Sequence, residues 1–388
     1  MDGRGVMKTI LPGATLGVMG GGQLGRMFVH AAQSMGYFTA VLDADPTSPA
    51  GRVSHHHIQT GYEDPQGLAE LAQLSAAITT EFENVPAGAL RTLAATRPVA
   101  PAASAVAIAQ DRAQEKAHFT RCGVPVAPNA VIETPGQLAA VTDDLLPGIL
   151  KTARLGYDGK GQVRVTTKAE LAVAWDDLKR VPCVLEKMLP LAAEVSVIVA
   201  RGADGQMVHF PVQRNLHRAG ILAVTEVHEG NVDPKLARQA VAAAQSIAEG
   251  LAFVGVLCVE FFVLADGALV VNEMAPRPHN SGHYSIDACD QSQFDLQVRT
   301  LAGLPLTQPR LHSPSIMLNL LGDLWGERGA SPAWDRVLAL PGAHLHLYGK
   351  HEAKSGRKMG HLTLTGPNAA EVRQTALAAA ALLGIAPF

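Results

Sequence analysis

The sequence predicts an α/β layer followed by an α+β unit and a small β-rich end. Three observations carry this. Strands alternate with helices up to about residue 105, short β-rich apolar runs fill about 106 to 306, and a last group of strands precedes an apolar C-terminal helix. At 388 residues the chain can hold two or three cores, so the expected units are 1–105, 106–306 and 307–388. Hydrophobic residues make up 47% and charged residues 17%, a composition for compact folding rather than disorder.

The first unit opens on the strand TLGVM, followed by QLGRMFVHAAQSMG, where Leu24, Met27, Phe28 and Ala31 recur at helical spacing. Between them Gly20, Gly22 and Gly25 stand at the G-x-G-x-x-G spacing that holds a dinucleotide pyrophosphate in other chains. FTAVLDADP is a second strand, ending in Asp43 and Asp45 near where a ribose-binding acid falls. A nicotinamide enzyme and a turn needed only for packing both satisfy these residues. A helix over DPQGLAELAQL and a strand in AAITTEFENVP continue the alternation, and RPVAPAAS marks a boundary. AIAQDRAQEKAHFTRCG has helical spacing up to Gly123. His55, His56 and His57 cannot share one ion from a strand, because successive side chains point to opposite faces, so they read as a solvated segment.

In the second unit CVLEKML, AEVSVIVA, MVHFPV and ILAVTEV are short strands, and PKLARQAVAAAQSIAEG is a long helix. VLCVEFFVLADGALVVNEMAP folds as a hairpin about Ala265, Asp266 and Gly267. In the third, GAHLHLYGK and GHLTLTG are strands before the last helix. That helix, ALAAAALLGIAPF, is shorter than the ~18 residues of a membrane span, which argues against a membrane partner. A net charge of -3 without a basic, aromatic-laced block argues against nucleic acid. Cys122, Cys183, Cys258 and Cys289 form no C-x-x-C pair and read as reduced thiols of a cytoplasmic protein.

Several residues carry chemistry. ARLGYDGKGQ places Gly156, Gly159, Lys160 and Gly161 in a loop whose N–H groups can close over phosphates, although a mobile surface turn has the same composition. Lys151 ends the apolar run GILK, where its ammonium can reach a ligand. Glu260 and Glu273 bracket the hairpin turn, with Asn272 beside the second. Carboxylates within apolar strands are costly to bury without a cation, and two carboxylates with an amide suit Mg²⁺; a solvent-facing strand is the alternative. RPHNSGH gathers Arg277, His279, Asn280 and Ser281 into one turn stiffened by Pro276 and Pro278, a donor density that favours an anionic or hydroxylated ligand.

Taken in order, KTARLGYDGKGQ, VLEKML with Glu194 after it, VEFFV and NEMAPRPHNSGH resemble the ATP-grasp superfamily. With GVMGGGQLGRM, EFENVP and GRKMGHLTLTG the resemblance narrows to the N5-carboxyaminoimidazole ribonucleotide synthase family of purine biosynthesis, over about residues 16 to 384. It implies a three-domain ATP-grasp architecture: an N-terminal Rossmann-like βαβ domain, a central ATP-grasp domain and a small C-terminal β-rich domain. It also implies that the first glycine loop helps form a nucleotide-substrate site, not an NAD site. Carried over by motif, the ATP contacts fall on Arg112, Lys151, Gly156, Tyr157, Asp158, Gly159, Lys160, Gly161, Gln162, Glu186, Lys187, Met188, Leu189, Glu194, His217, Asn272 and Glu273. Glu260 and Glu273 take the Mg²⁺ role. The ribonucleotide falls to Gln23, Leu24, Glu83, Tyr157, Arg277, His279, Asn280 and Ser281, with Lys350 and Arg357 at its phosphate.

The chemistry so implied moves the γ-phosphoryl of ATP onto bicarbonate, giving carboxyphosphate, and the amine of 5-aminoimidazole ribonucleotide captures the carboxyl group. Lys151, Arg277 and His279 would act on the reacting groups, His279 being a candidate to take the amine proton, under a lid formed by the 156–162 loop. A homodimer is the family's habit. A formate-using relative, a nicotinamide dehydrogenase and a non-catalytic nucleotide-binding module are the rival readings. Two departures from the family pattern stand out: Lys354 and Ser355 replace an Arg-Pro pair, and Arg214 replaces an acidic residue.

Overall fold

The computed structural model describes residues 8–154, 156, 161–326 and 330–388. Strands β1 (Thr15–Met19), β2 (Phe38–Leu42), β3 (His56–Ile58) and β4 (Ala77–Thr80) form a parallel sheet in the order β3-β2-β1-β4. Leu16, Val18 and Met19 of β1 have no exposure, as expected of a parallel strand covered on both faces. Helix α1 (Gln23–Ser34) covers one face, and α2 (Pro65–Leu74) and α3 (Ala87–Ala94) the other.

The glycine loop between β1 and α1 is not open to a pyrophosphate. Gly22 and Gly25 donate their N–H groups to the two oxygens of Glu81, at 2.5 and 2.8 Å, and Gly21 donates to Asp43 at 2.7 Å. An internal carboxylate therefore occupies the place an anion would take at the helix start. Asp43 also accepts the Tyr62 hydroxyl, and Asp45 accepts from Thr47, so neither acid waits for a ribose. A Cβ at Gly25 would lie 2.7 Å from the Gly20 carbonyl, so packing explains this glycine. The histidine run is largely solvated, as expected: His55 and His56 are exposed, His55 also accepting the Thr39 N–H, and only His57 is half-buried, against Gly51.

The helical stretch before Gly123 is two helices, α4 (Ala103–Ala109) and α5 (Arg112–Arg121). Asp111 breaks it by capping the N–H groups of Ala113 and Gln114, at 3.1 and 3.2 Å. The break places Arg112 at the first position of α5, where its own N–H bonds the Ala153 carbonyl.

Two sheets make up the centre. Strands β5 (Asn129–Ile132), β6 (Gly148–Thr152), β7 (Gln162–Val165) and β8 (Cys183–Lys187) pair antiparallel in the order β5-β8-β6-β7, beside α6 (Pro135–Ala139) and α7 (Lys168–Asp177). The larger sheet contains β9 (Leu191–Arg201), β10 (Met207–His209), β11 (Gln213–Arg218), β12 (Ile221–Val227), β13 (Gly255–Leu264) and β14 (Leu269–Ala275). Helix α8 (Pro234–Gly250) buries Ala240, Ala244, Ile247 and Ala248 against Val197, Val199, Leu257 and Val259 of this sheet. Strand β11 was not anticipated, because the face it buries, Gln213 and Asn215, is polar.

After α9 (Ser285–Ala288) and α10 (Gln293–Ala302), the C-terminal strands β15 (Ser315–Leu321), β16 (Ala343–Leu347) and β17 (Lys358–Thr365) extend the larger sheet through β12–β15 pairing. Helices α11 (Trp334–Leu338) and α12 (Ala369–Leu383) pack on them. A histidine stack fastens this domain to the centre. His346 donates from Nε2 to the Asp287 carboxylate at 2.8 Å and stacks on buried His361 at 4.5 Å and 13°. The ligating atoms of Asp287, His346 and His361 lie within 4.8 Å of one another. A nitrogen lone pair lies in its ring plane, so an ion bound to one of two stacked rings sits off the plane of the other.

Candidate active site

All three domains contribute to one cleft of about 300 Å³. Its floor is the β13–β14 hairpin. Alternation along β13 sends Val259 and Phe261 into the core and leaves Glu260 and Phe262 facing the cleft. Glu260 pairs with Glu273, whereas Phe261 pairs with Val271, so Asn272 is the extra residue of a β-bulge. The bulge turns two consecutive side chains, Asn272 and Glu273, to the same side, which strict alternation forbids. Like charges meet as a result. Burial, then the neighbouring Glu273 carboxylate, pushes Glu260 up to about 7. Glu273 itself is held low against burial by Arg112, whose guanidinium lies 3.2 Å away, and by Lys151.

The walls are cationic and paired. Lys151 on β6 and Lys116 on α5 both reach buried Glu186, at 3.0 and 3.1 Å. Burial lowers the Lys151 pKa; the same two lysines outweigh burial to hold Glu186 below the ordinary carboxyl value. Glu115, one helical turn after Arg112, accepts the Met274 N–H at 2.7 Å, and burial followed by the Glu273 charge raises it to about 8. His217 pairs with Glu194, and Glu194 together with Glu260 keeps it above its ordinary pKa despite burial. From the N-terminal domain Glu83 pairs with Arg277; against burial, the guanidinium holds Glu83 low and the carboxylate holds Arg277 high.

Of the residues expected at a site, Glu83, Arg112, Lys151, Gly156, Gln162, Glu194, His217, Glu260, Asn272, Glu273, Arg277, His279 and Asn280 line this cleft. Others do not. Glu186 is 3% exposed beneath Lys151, and Lys187, Met188 and Leu189 lie around the end of β8 outside the cleft lining. Gly161 also lies outside the lining, with Thr152 packed against it. Ser281 is wholly buried behind His279. Leu24 is a core residue of α1, and Gln23 beside it is half-buried and outside the cleft lining. Lys350 hydrogen-bonds the Lys358 carbonyl at 2.7 Å and, with Trp325, His351 and Met359, lines a separate hollow. Arg357 is exposed and bonds the Glu352 carbonyl at 3.0 Å. Tyr157, Asp158, Gly159 and Lys160 lie outside the described residues.

Sequence reasoning passed over Asn84, Gln110, Glu115, Lys116, Asn215 and Lys358. All but Lys116 line the cleft, and Lys116 lies under it. Glu115 carried a legible signal, since it sits three residues after Arg112 on one helix face. The two departures leave the cleft untouched: Arg214 points outward on β11, and Ser355 hydrogen-bonds Asp323 at 2.5 Å in a loop closed by the Gly356 N–H. No helix among the described residues is long and apolar enough to cross a membrane.

Comparison with known proteins places three domain families along the chain. A ribonucleotide synthetase preATP-grasp domain matches residues 13–110, an ATP-grasp domain 117–294, and a phosphoribosylaminoimidazole carboxylase C-terminal domain 315–375. N5-carboxyaminoimidazole ribonucleotide synthase of Brucella melitensis is 44% identical over 364 residues, covering 93% of this chain and 99% of that one. The Staphylococcus aureus synthetase solved with ADP superposes with a TM-score of 0.89 at 38% identity, covering 96% of this chain and 99% of that one. The Aspergillus clavatus enzyme, solved with ADP and 5-aminoimidazole ribonucleotide, gives 0.87 at 32% identity over 96% and 98%. Likeness at this identity over nearly the whole length, on the same three domains, means that the chain belongs to the N5-carboxyaminoimidazole ribonucleotide synthase family of ATP-grasp ligases.

Proposed function

We propose that this cleft carboxylates 5-aminoimidazole ribonucleotide, using ATP to activate bicarbonate, with Mg²⁺ held by Glu260, Asn272 and Glu273. The observation that carries the reading is the bulged hairpin. It aims two carboxylates and an amide at one point, and Glu260 Oε1 and Asn272 Oδ1 are buried there without hydrogen-bond partners. Unsatisfied oxygens so placed fit a hard cation. A bound Mg²⁺ would neutralise charge on the triphosphate tail.

This chain's own groups do the rest. Lys151 and Arg112, both lining the cleft, set positive charge against transferring phosphate oxygens. Carboxyphosphate, the product of γ-phosphoryl transfer to bicarbonate, is then attacked at its carboxyl carbon, or as released CO2, by the ribonucleotide amine; the phosphate departs. Arg277, oriented by Glu83, and Asn280, whose amide atoms lack partners, face the acceptor side. The decisive assay is phosphate release from ATP with 5-aminoimidazole ribonucleotide and bicarbonate, each omitted in turn. Release should require both, and turnover with formate in place of bicarbonate would overturn the reading. A cytoplasmic homodimer completes the reading.

Two further results are expected. Because burial and the Glu273 charge push Glu260 up to about 7 and a cation takes the carboxylate, Mg²⁺ binding should release a proton below pH 7. The apparent affinity should weaken by up to about tenfold per pH unit below that point and level off above it. Calorimetry in two buffers of different ionisation enthalpy reads this; no proton release at pH 6.5 would contradict it. At the ribonucleotide end Lys358 lines the cleft and Arg357 does not, so Lys358→Ala should raise the KM for the ribonucleotide more than Arg357→Ala does. An Arg357→Ala variant with the larger KM change would put the phosphate in the Lys350 hollow instead.

A further inference from the structure

His279 sits at the mouth of a short buried turn, Asn280–Gly282, and caps it with its own ring. The Ser281 backbone N–H points at His279 Nδ1 from 3.3 Å, and the Ser281 hydroxyl lies 2.9 Å from the same atom. A backbone N–H can only donate. Nδ1 must therefore present its lone pair, and the ring proton belongs on Nε2. The capping contact is over-determined from behind. Ser281 is wholly buried and touches Ser196 Oγ at 2.9 Å, which in turn contacts Gln213 at 3.0 Å and Asn215 at 2.8 Å. The His279 carbonyl and N–H are both held by the Gln293 side chain, at 2.8 Å each. Nε2 faces the other way, into the cleft, 3.9 Å from Glu260 Oε1. That oxygen has no hydrogen-bond partner of its own.

We propose that His279 is a neutral hydrogen-bond donor to the carboxyl oxygens derived from bicarbonate, acting through Nε2–H, and that it does not take the amine proton. This rests on the carboxylation reading above. A ring whose only cleft-facing nitrogen already carries its proton has no lone pair there to accept another. Accepting at Nδ1 instead would set an N–H against the Ser281 N–H. What the ring offers is a fixed dipole aimed where negative charge gathers on the oxygens of the one-carbon acid. A neutral imidazole used as an electrophile in this way needs no proton transfer and no reorganisation at the moment of reaction. The atoms balance without it: the bond between amine nitrogen and carboxyl carbon forms, phosphate leaves, and the amine proton departs to another group or to water.

Two measurements test this. Nitrogen-15 NMR of the ring-labelled enzyme, with His279 assigned by its loss in a His279→Gln variant, should show Nε2 protonated and Nδ1 unprotonated, with and without Mg²⁺ and ADP. A protonated Nδ1 overturns the proposal whatever the turnover. For activity, the Gln amide places a donor near the Nε2 position and the Asn amide near Nδ1. His279→Gln should therefore keep about a tenth of wild-type kcat, whereas His279→Asn and His279→Ala fall about 10²–10³-fold, the loss of one oxyanion donor. Equal losses in the Gln and Asn variants, both folded by thermal melt, also overturn it. The predicted tautomer in an enzyme that fails to turn over the ribonucleotide with bicarbonate would sink the carboxylation reading and leave the ring assignment standing.

Discussion

Glu273→Gln is expected to lower ATP-dependent phosphate release by about 10³-fold or more, a barrier change of about 4 kcal/mol. Three effects act together. The substitution removes one of the two paired hairpin carboxylates proposed to hold Mg²⁺. It strips the counter-ion from Arg112, whose side chain is 12% exposed. It also relieves Glu260 of the like charge that helps lift it to about 7, so the remaining carboxylate should ionise at lower pH without recovering the site. Direct Mg²⁺ titration should weaken in parallel with activity. Turnover near the wild-type rate at ordinary Mg²⁺ would remove Glu273 from the metal site.

Lys151→Met is expected to cost about 10²–10³-fold in kcat, with a smaller change in the KM for ATP. Lys151 is 6% exposed, at the end of β6, and faces the cleft from one side while bonding Glu186 from the other. Lys116 continues to pair with Glu186 when Lys151 is gone, so the buried carboxylate keeps a cation and the fold should survive. Arginine should rescue little, because a planar guanidinium does not fit a pocket shaped for one ammonium. Circular dichroism and steady-state kinetics together check this. A folded Lys151→Met enzyme with kcat within threefold of wild type would show that the ammonium does not act on the transferring phosphoryl group.

The hairpin was legible because its signal is local. Two acids and an amide interrupt otherwise apolar strands around an Ala-Asp-Gly turn, and burial of such groups demands a partner. The cluster after Pro276 was legible for the same reason. Glu115 offered only its spacing from Arg112 as a signal, and Asn215 and Lys358 offered none, since each comes from a different element and acquires meaning only when those elements meet. The first glycine loop shows the converse. Its spacing is that of an anion site, yet Glu81, more than fifty residues along the chain, fills the place by accepting from Gly22 and Gly25. Leu24 and Ser281 belong to motifs of the family but are spent on packing and on holding a neighbour.

The linear order of residues alone determined most of the strands and helices, the family, and the acids and bases available for phosphoryl transfer, because periodicity and motif spacing are properties of neighbouring residues. Tertiary structure alone decided which of those groups face one another. Arg112 meets Glu273, Glu83 meets Arg277, and the Ser281 turn that holds the His279 ring is fixed by Ser196 on a separate strand, all contacts between segments far apart in the chain. Their shifted protonation follows from burial and proximity, which exist only once the chain has folded.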